Sequence, residues 1–167
     1  MTTEKTSFQM LFQRFYDRIE TDEDFFGYYQ VDRTEALELA HLRAKNYLID
    51  ALDRLSSTGE LEVDFNDYNE EVETVNFGML GKESKLIAEI MFAEYMKRDV
   101  PLLHAFRLSF SPSDLTVFPP SGERTSYLDM IGKLEHDIEL MIDDYKSRDR
   151  KTGKLKQAIN YSAYADD

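Results

Sequence analysis

Glu38 and His41 stand three residues apart in a helical run. Carboxylate-bridged di-iron sites in helical bundles use that spacing on each of two helices. Such a site needs a second Glu-x-x-His pair, and the other histidines do not supply one. Pro101 lies three residues before His104 and Lys133 three before His136. His41 therefore reads as a hydrogen-bonded, partly buried histidine, and no metal ligand is assigned.

Other candidates for chemistry fall on similar grounds. Ser111-Pro112-Ser113-Asp114 has no histidine at a useful spacing, and no Gly-x-Ser-x-Gly turn occurs. Gly78 and Gly81 lack the Lys-hydroxyl pair of a phosphate loop. Asp22-Glu23-Asp24 has no glycine where a calcium loop turns. Glu70-Glu71 and Asp143-Asp144 read as solvated carboxylates. With no cysteine in the chain, disulfide scaffolds, thiolate zinc sites and cysteine nucleophiles are excluded. The expectation is a protein with no catalytic residues, no cofactor and no metal.

Charge carries more information. The 167 residues hold 20 Lys and Arg against 33 Asp and Glu, a net charge of −13. That charge is divided unevenly. Residues 1–145 hold 14 basic and 30 acidic side chains, net −16; residues 146–167 hold six basic and three acidic, net +3. An acidic body disfavours general nucleic-acid affinity, because phosphate contacts come from Lys and Arg. The basic residues Lys146, Arg148, Arg150, Lys151, Lys154 and Lys156 precede the semi-apolar Ile159, Tyr161 and Tyr164. Such a segment suits a docking arm that orders against an acidic partner, and it is expected to be extended from Lys146 onward.

The elements that must position these groups follow from periodicity. A capping box at Thr6-Ser7-Phe8-Gln9, with Thr6 as cap, opens a first helix whose Phe8, Leu11, Phe12, Phe15 and Ile19 form one stripe. Phe25, Phe26, Tyr28 and Tyr29 follow around Gly27 as a core lid or a contact with a neighbouring subunit or tail protein. Asp32 caps a second helix with Leu37, His41, Ala44, Leu48, Ala51, Leu52 and Leu55 on its apolar face and Gly59 as its stop. Leu61, Val63 and Phe65 alternate as a short strand, and residues 72–77 are β-prone and suited to a hairpin. A third, central helix covers residues 82–97 and ends at Pro101; residues 100–123, with four prolines, read as irregular, with residues 102–110 open to helix.

Tyr127, Ile131, Leu134, Ile138, Met141 and Tyr145 step by alternating fours and threes, a heptad seam. It is expected to meet a helix of the same domain, with an inter-subunit coiled coil as the alternative. The fold class is mainly α: a four-helix-type bundle over residues 1–145, with a small β-hairpin or irregular appendage, and a basic extended C-terminal arm over 146–167. Neither a signal peptide nor a membrane span is expected. The stretch 86–96 is broken by Glu89 and Glu94, short of the ~20 apolar residues a span needs.

The order of these elements resembles the head–tail connector (adaptor, or neck) proteins of tailed bacteriophages. The likeness is carried by Phe8-Gln9-Met10-Leu11-Phe12-Gln13-Arg14-Phe15, by Lys85-Leu86-Ile87-Ala88-Glu89-Ile90-Met91-Phe92-Ala93-Glu94-Tyr95, and by the run from Tyr127 through Ile138 to Arg150. The proline-containing residues 109–121 depart from the glycine-containing stretch of that family. The resemblance implies a non-catalytic subunit of a dodecameric ring in the virion neck, assembled in the host cytoplasm. Its partners would be the portal protein, copies of itself and a tail-side neck or stopper protein, with duplex DNA passing through the lumen unbound. It places portal docking on Arg148, Arg150, Lys151, Lys154, Lys156, Ile159, Tyr161 and Tyr164. The alternative is an acidic helical binding module, a DNA mimic or inhibitor of a basic partner, without a ring.

Overall fold

In the computed structural model, residues 5–19, 25, 31–59, 61–109 and 121–156 are described, side chains of 99–109 and 121–125 excepted. The architecture is mainly helical with a small antiparallel sheet. In chain order the elements are β1 (Thr6–Ser7), α1 (Phe8–Arg18), α2 (Arg33–Ser56), β2 (Tyr68–Asn69), β3 (Thr74–Val75), α3 (Gly81–Ser109) and α4 (Ser121–Ser147).

The cap of α1 is Ser7, whose Oγ accepts from Gln9 N at 3.2 Å. This corrects the expected cap by one residue, because Thr6 is used in the sheet. Its Oγ1 donates to Phe77 O and accepts from Met79 N. The expected stripe is buried: Phe8, Leu11, Phe12, Phe15 and Ile19. Asp32 caps α2 by accepting from Thr34 N at 2.8 Å and Glu35 N at 3.0 Å.

The expected apolar face of α2 is buried from Ala44 through Leu48, Ala51, Leu52 and Leu55, and departs from expectation only in the first turns. Ala36, Ala40 and Ala44 are buried, whereas Leu37 is 52% exposed. Alanines four residues apart leave no side-chain bulk between helices, so neighbours approach along that row. Phe15, Phe25, Tyr47 and Tyr95 form the aromatic centre; Phe25 meets Phe15 and Tyr95 edge-on at 5.5 and 5.4 Å.

The sheet order is β1-β3-β2, with Val75 opposite both Thr6 and Tyr68. The expected strand at Leu61, Val63 and Phe65 does not form. Asp64 Oδ1 accepts from Asn66 N at 2.8 Å, turning the chain locally. Phe65 is still buried. The β-prone stretch does pair, with residues 68–69, across a turn in which Asn69 Oδ1 accepts from Glu71 N and Val72 N. Glu73 closes that turn at φ 51°, and its carbonyl accepts from Phe8 N at 2.9 Å.

Pro101 does not end the third helix, which continues to Ser109. A proline removes one intrahelical donor and crowds the preceding turn; here the helix spans it. Residues 110–120 lie outside the described residues. The seam of α4 packs inside the domain against α3. Ile138 and Tyr145 are buried, and Ile131, Leu134 and Met141 are half-buried. Tyr127 donates its hydroxyl to Met96 O, and Tyr145 donates to Glu83, so the two helices run antiparallel.

Candidate functional site

Glu83 is fully buried, and its partners define the site. It occupies the third position of α3 and reaches back to accept from Leu80 N at 2.7 Å, half of a capping box. Tyr145, near the end of α4, donates its hydroxyl to Glu83 Oε1 at 2.8 Å. Arg150 completes the set, with Nε 2.6 Å from Oε1 and Nη2 3.0 Å from Oε2. The fork geometry is that of a bidentate guanidinium–carboxylate pair. Arg150 Nη2 also donates to Gly78 O at 2.6 Å, and the guanidinium lies over the Phe77 ring at 5.4 Å.

A charge taken from water is expensive unless paired and fully hydrogen-bonded, and four donors surround this carboxylate. Burial, reinforced by the Glu83 hydrogen bond, pushes the Tyr145 phenol well above its ordinary range. The Glu83 hydrogen bond also raises Arg150. Both groups therefore remain protonated donors at neutral pH.

The rest of the basic segment folds around this anchor. Arg148 pairs with Leu155 in an isolated antiparallel bridge. Between them, Asp149 Oδ1 accepts from Thr152 N and Thr152 Oγ1, both at 2.6 Å, and Gly153 turns the chain at φ 69°. Arg150 N donates to both Glu62 carboxylate oxygens, and Lys156 Nζ stands 3.2 Å from Glu62 Oε1. Arg148 Nε donates to Asp144 Oδ1 at 2.8 Å.

The expectation of an extended chain from Lys146 is thus corrected for residues 146–156. Carboxylates on the acidic body, above all Glu83 and Glu62, neutralise cations that otherwise repel one another. Of the docking residues taken from the sequence, Arg148, Arg150 and Lys156 are engaged with the body, while Lys151 and Lys154 are exposed in the turn. Ile159, Tyr161 and Tyr164 lie outside the described residues. Phe25 belongs to the core and is fully buried, with Arg43 over its ring at 4.5 Å, so it is not available as a subunit or tail contact. Phe26, Tyr28 and Tyr29 lie outside the described residues.

Glu38 and His41 are not brought together as a ligand pair. Glu38 is exposed, and His41 Nε2 faces Glu73, 3.0 and 3.1 Å from its two carboxylate oxygens, with the Phe12 ring edge-on at 4.9 Å. Among the described residues, no group of three His, Asp or Glu is placed to hold a metal ion. No described helix is long and apolar enough to cross a membrane.

A second charged network joins the long helices. Glu135 of α4 meets Arg54 of α2 at 2.8 Å and Lys97 of α3 at 2.9 Å; Lys97 also meets Glu94, and Arg98 meets Asp50. Burial pushes Glu135 up, but hydrogen bonds and charge from Arg54 and Lys97 outweigh it and hold the carboxyl below its ordinary value. Sequence reasoning missed Glu83, Glu62 and Tyr145 as partners of the basic segment. Glu83 did carry a signal, a glutamate three residues into a helix.

Comparisons with family models, curated proteins and solved structures returned no match. The geometry therefore stands alone. It describes a polar clasp that fastens the chain after the last helix, with no constellation of groups around a reacting centre among the described residues.

Proposed function

We propose that this chain is a non-catalytic structural subunit of a tailed-phage head–tail connector ring, docked on the portal, extending the DNA channel and joining capsid to tail. The observation that supports it best is the order of elements. A short aromatic helix, a long helix, an acidic β segment and two further long helices lead into a basic segment with a fixed base. The acidic exterior suits a channel, since duplex phosphates meet like charge and slide past without adhering. Arg148, Arg150 and Lys156 are committed to the body, which leaves Lys151, Lys154 and residues 157–167 for docking.

The test is negative-stain imaging and co-sedimentation of the chain with its cognate portal complex. The full chain is expected to decorate the portal as a ring, and a chain ending at Lys156 is expected to stay folded and lose docking. A full chain that leaves the portal bare overturns the reading. Capture of a basic protein by a monomer would instead favour the acidic binding module, whose support is the exposed Asp64, Asp67, Glu70 and Glu71.

A further inference from the structure

The hairpin that follows α4 ends in an open edge. Asp149 N donates to Lys154 O at 2.8 Å, and Lys156 N donates to Ser147 O at 2.7 Å. These two bonds flank the Arg148–Leu155 bridge, so the facing residues form a non-hydrogen-bonded pair. The N–H and C=O of each residue in such a pair point away from the opposite strand. On the Arg148 side the outward donors are used: Arg148 N meets Tyr145 O, and Arg150 N meets Glu62. On the other side, Leu155 N–H and C=O take no partner among the described residues. Lys154, Leu155 and Lys156 are all exposed.

An unpaired strand edge is a template for an added strand. The side chains around this one state what that strand must carry. Neither Lys151 nor Lys154 meets a carboxylate among the described residues, and both are exposed, so acidic side chains are attracted. Leu155, with 65% of its surface exposed, offers an apolar contact between two lysines. A second copy's equivalent edge is disfavoured, because like charges placed across a strand pair repel. A phosphodiester chain has no N–H for the Leu155 carbonyl, and the acidic body repels a long polyanion.

We propose that residues 154–156 are a docking edge for an extended acidic segment of another protein, which adds to the hairpin as a strand. Leu155 supplies the main-chain donor and acceptor, and Lys151 and Lys154 supply the charge. This goes beyond the assembly reading and does not rest on it.

The test is fluorescence anisotropy of a labelled heptapeptide of alternating glutamate and valine, titrated with the full chain. Leu155→Pro removes the outward N–H and none of the hairpin's own hydrogen bonds. It is expected to weaken binding about tenfold, the worth of one well-made hydrogen bond. Backbone N-methylation of the peptide is expected to weaken binding similarly, and Lys151→Glu with Lys154→Glu at least as much. Far-UV circular dichroism of each variant is expected to match the parent, since the edge lies outside the core. Failure of the parent chain to bind the peptide overturns the proposal. Binding that the lysine variants weaken but Leu155→Pro and N-methylation leave unchanged also overturns it, because charge alone is then responsible. An oligothymidylate of the same length bound as tightly as the peptide overturns it on the same ground.

Discussion

Replacing Arg150 with Ala isolates the contribution of the clasp. Arg150 keeps 14% of its side chain exposed and Glu83 none, so the pair is not a surface ion pair of ~0–1 kcal/mol. Removing one member of a buried pair leaves an uncompensated charge and costs about 3–5 kcal/mol. Leu80 N and the Tyr145 hydroxyl still face the carboxylate after the substitution. The lower end, about 3 kcal/mol, is therefore expected. At ~2–4 °C per kcal/mol for a chain of this size, the melting temperature falls by about 6–12 °C. The assay is urea and thermal unfolding followed by far-UV circular dichroism, with Arg148→Ala as control. Arg148 pairs with Asp144 on the surface, so its loss costs less than about 1 kcal/mol. Glu83→Gln and the double variant complete a cycle whose coupling energy reports the pair itself. An Arg150→Ala chain no less stable than Arg148→Ala refutes the reasoning, since the carboxylate would then have no need of the guanidinium.

Phe25→Ala is expected to cost about 3–5 kcal/mol, measured by urea unfolding, because the ring fills the aromatic centre rather than a contact surface. Gly132→Ala is expected to stabilise by about 0.5–1 kcal/mol, seen as a higher urea midpoint; the glycine is inside α4, and an added Cβ meets nothing within 4 Å. Glu135 has a lowered folded value, so its stabilisation is present above the ordinary glutamate value and is lost as pH falls through the lowered one. Urea midpoints measured between pH 7 and pH 3 should fall less steeply in Glu135→Gln than in the parent chain. Lys97, raised by Glu94 and Glu135 against burial, gives the opposite limb: its contribution is complete below the ordinary lysine value and is lost as pH rises through the raised one.

Helix type and location were legible where the apolar period was strong. The stripe of α1, the Asp32 cap and the seam of α4 all follow from local spacing and capping chemistry. Pro101 misled because its penalty is local, while the register of a 29-residue helix is set along its whole length. Leu37 misled because hydropathy does not say which edge of α2 meets a neighbour, and a row of alanines permits the closer approach. The strand read at residues 61–65 lost to an aspartate–asparagine turn. The clasp was illegible for a different reason. Arg150 and Glu83 are 67 residues apart, and no periodicity links them; a basic run reads as repulsive until its carboxylates are placed beside it. A still longer separation hid Glu62 from Lys156.

The short stretch from Val75 to Glu83 receives partners from both distant parts of the chain. Val75 pairs with Thr6, and Gly78 and Glu83 are held by Arg150. During synthesis the first of these partners is available before residue 75 is made, whereas the second emerges some seventy residues after it. Until then the carboxylate at the start of α3 has no guanidinium, and the nascent body remains short of its full stability. A chain that stops between Tyr145 and Asp149 keeps every buried apolar residue described in the core and still lacks that last partner. The stability of the fold thereby depends on a residue made after its core, giving proteolytic surveillance a physical basis for removing copies that stop short of Arg150.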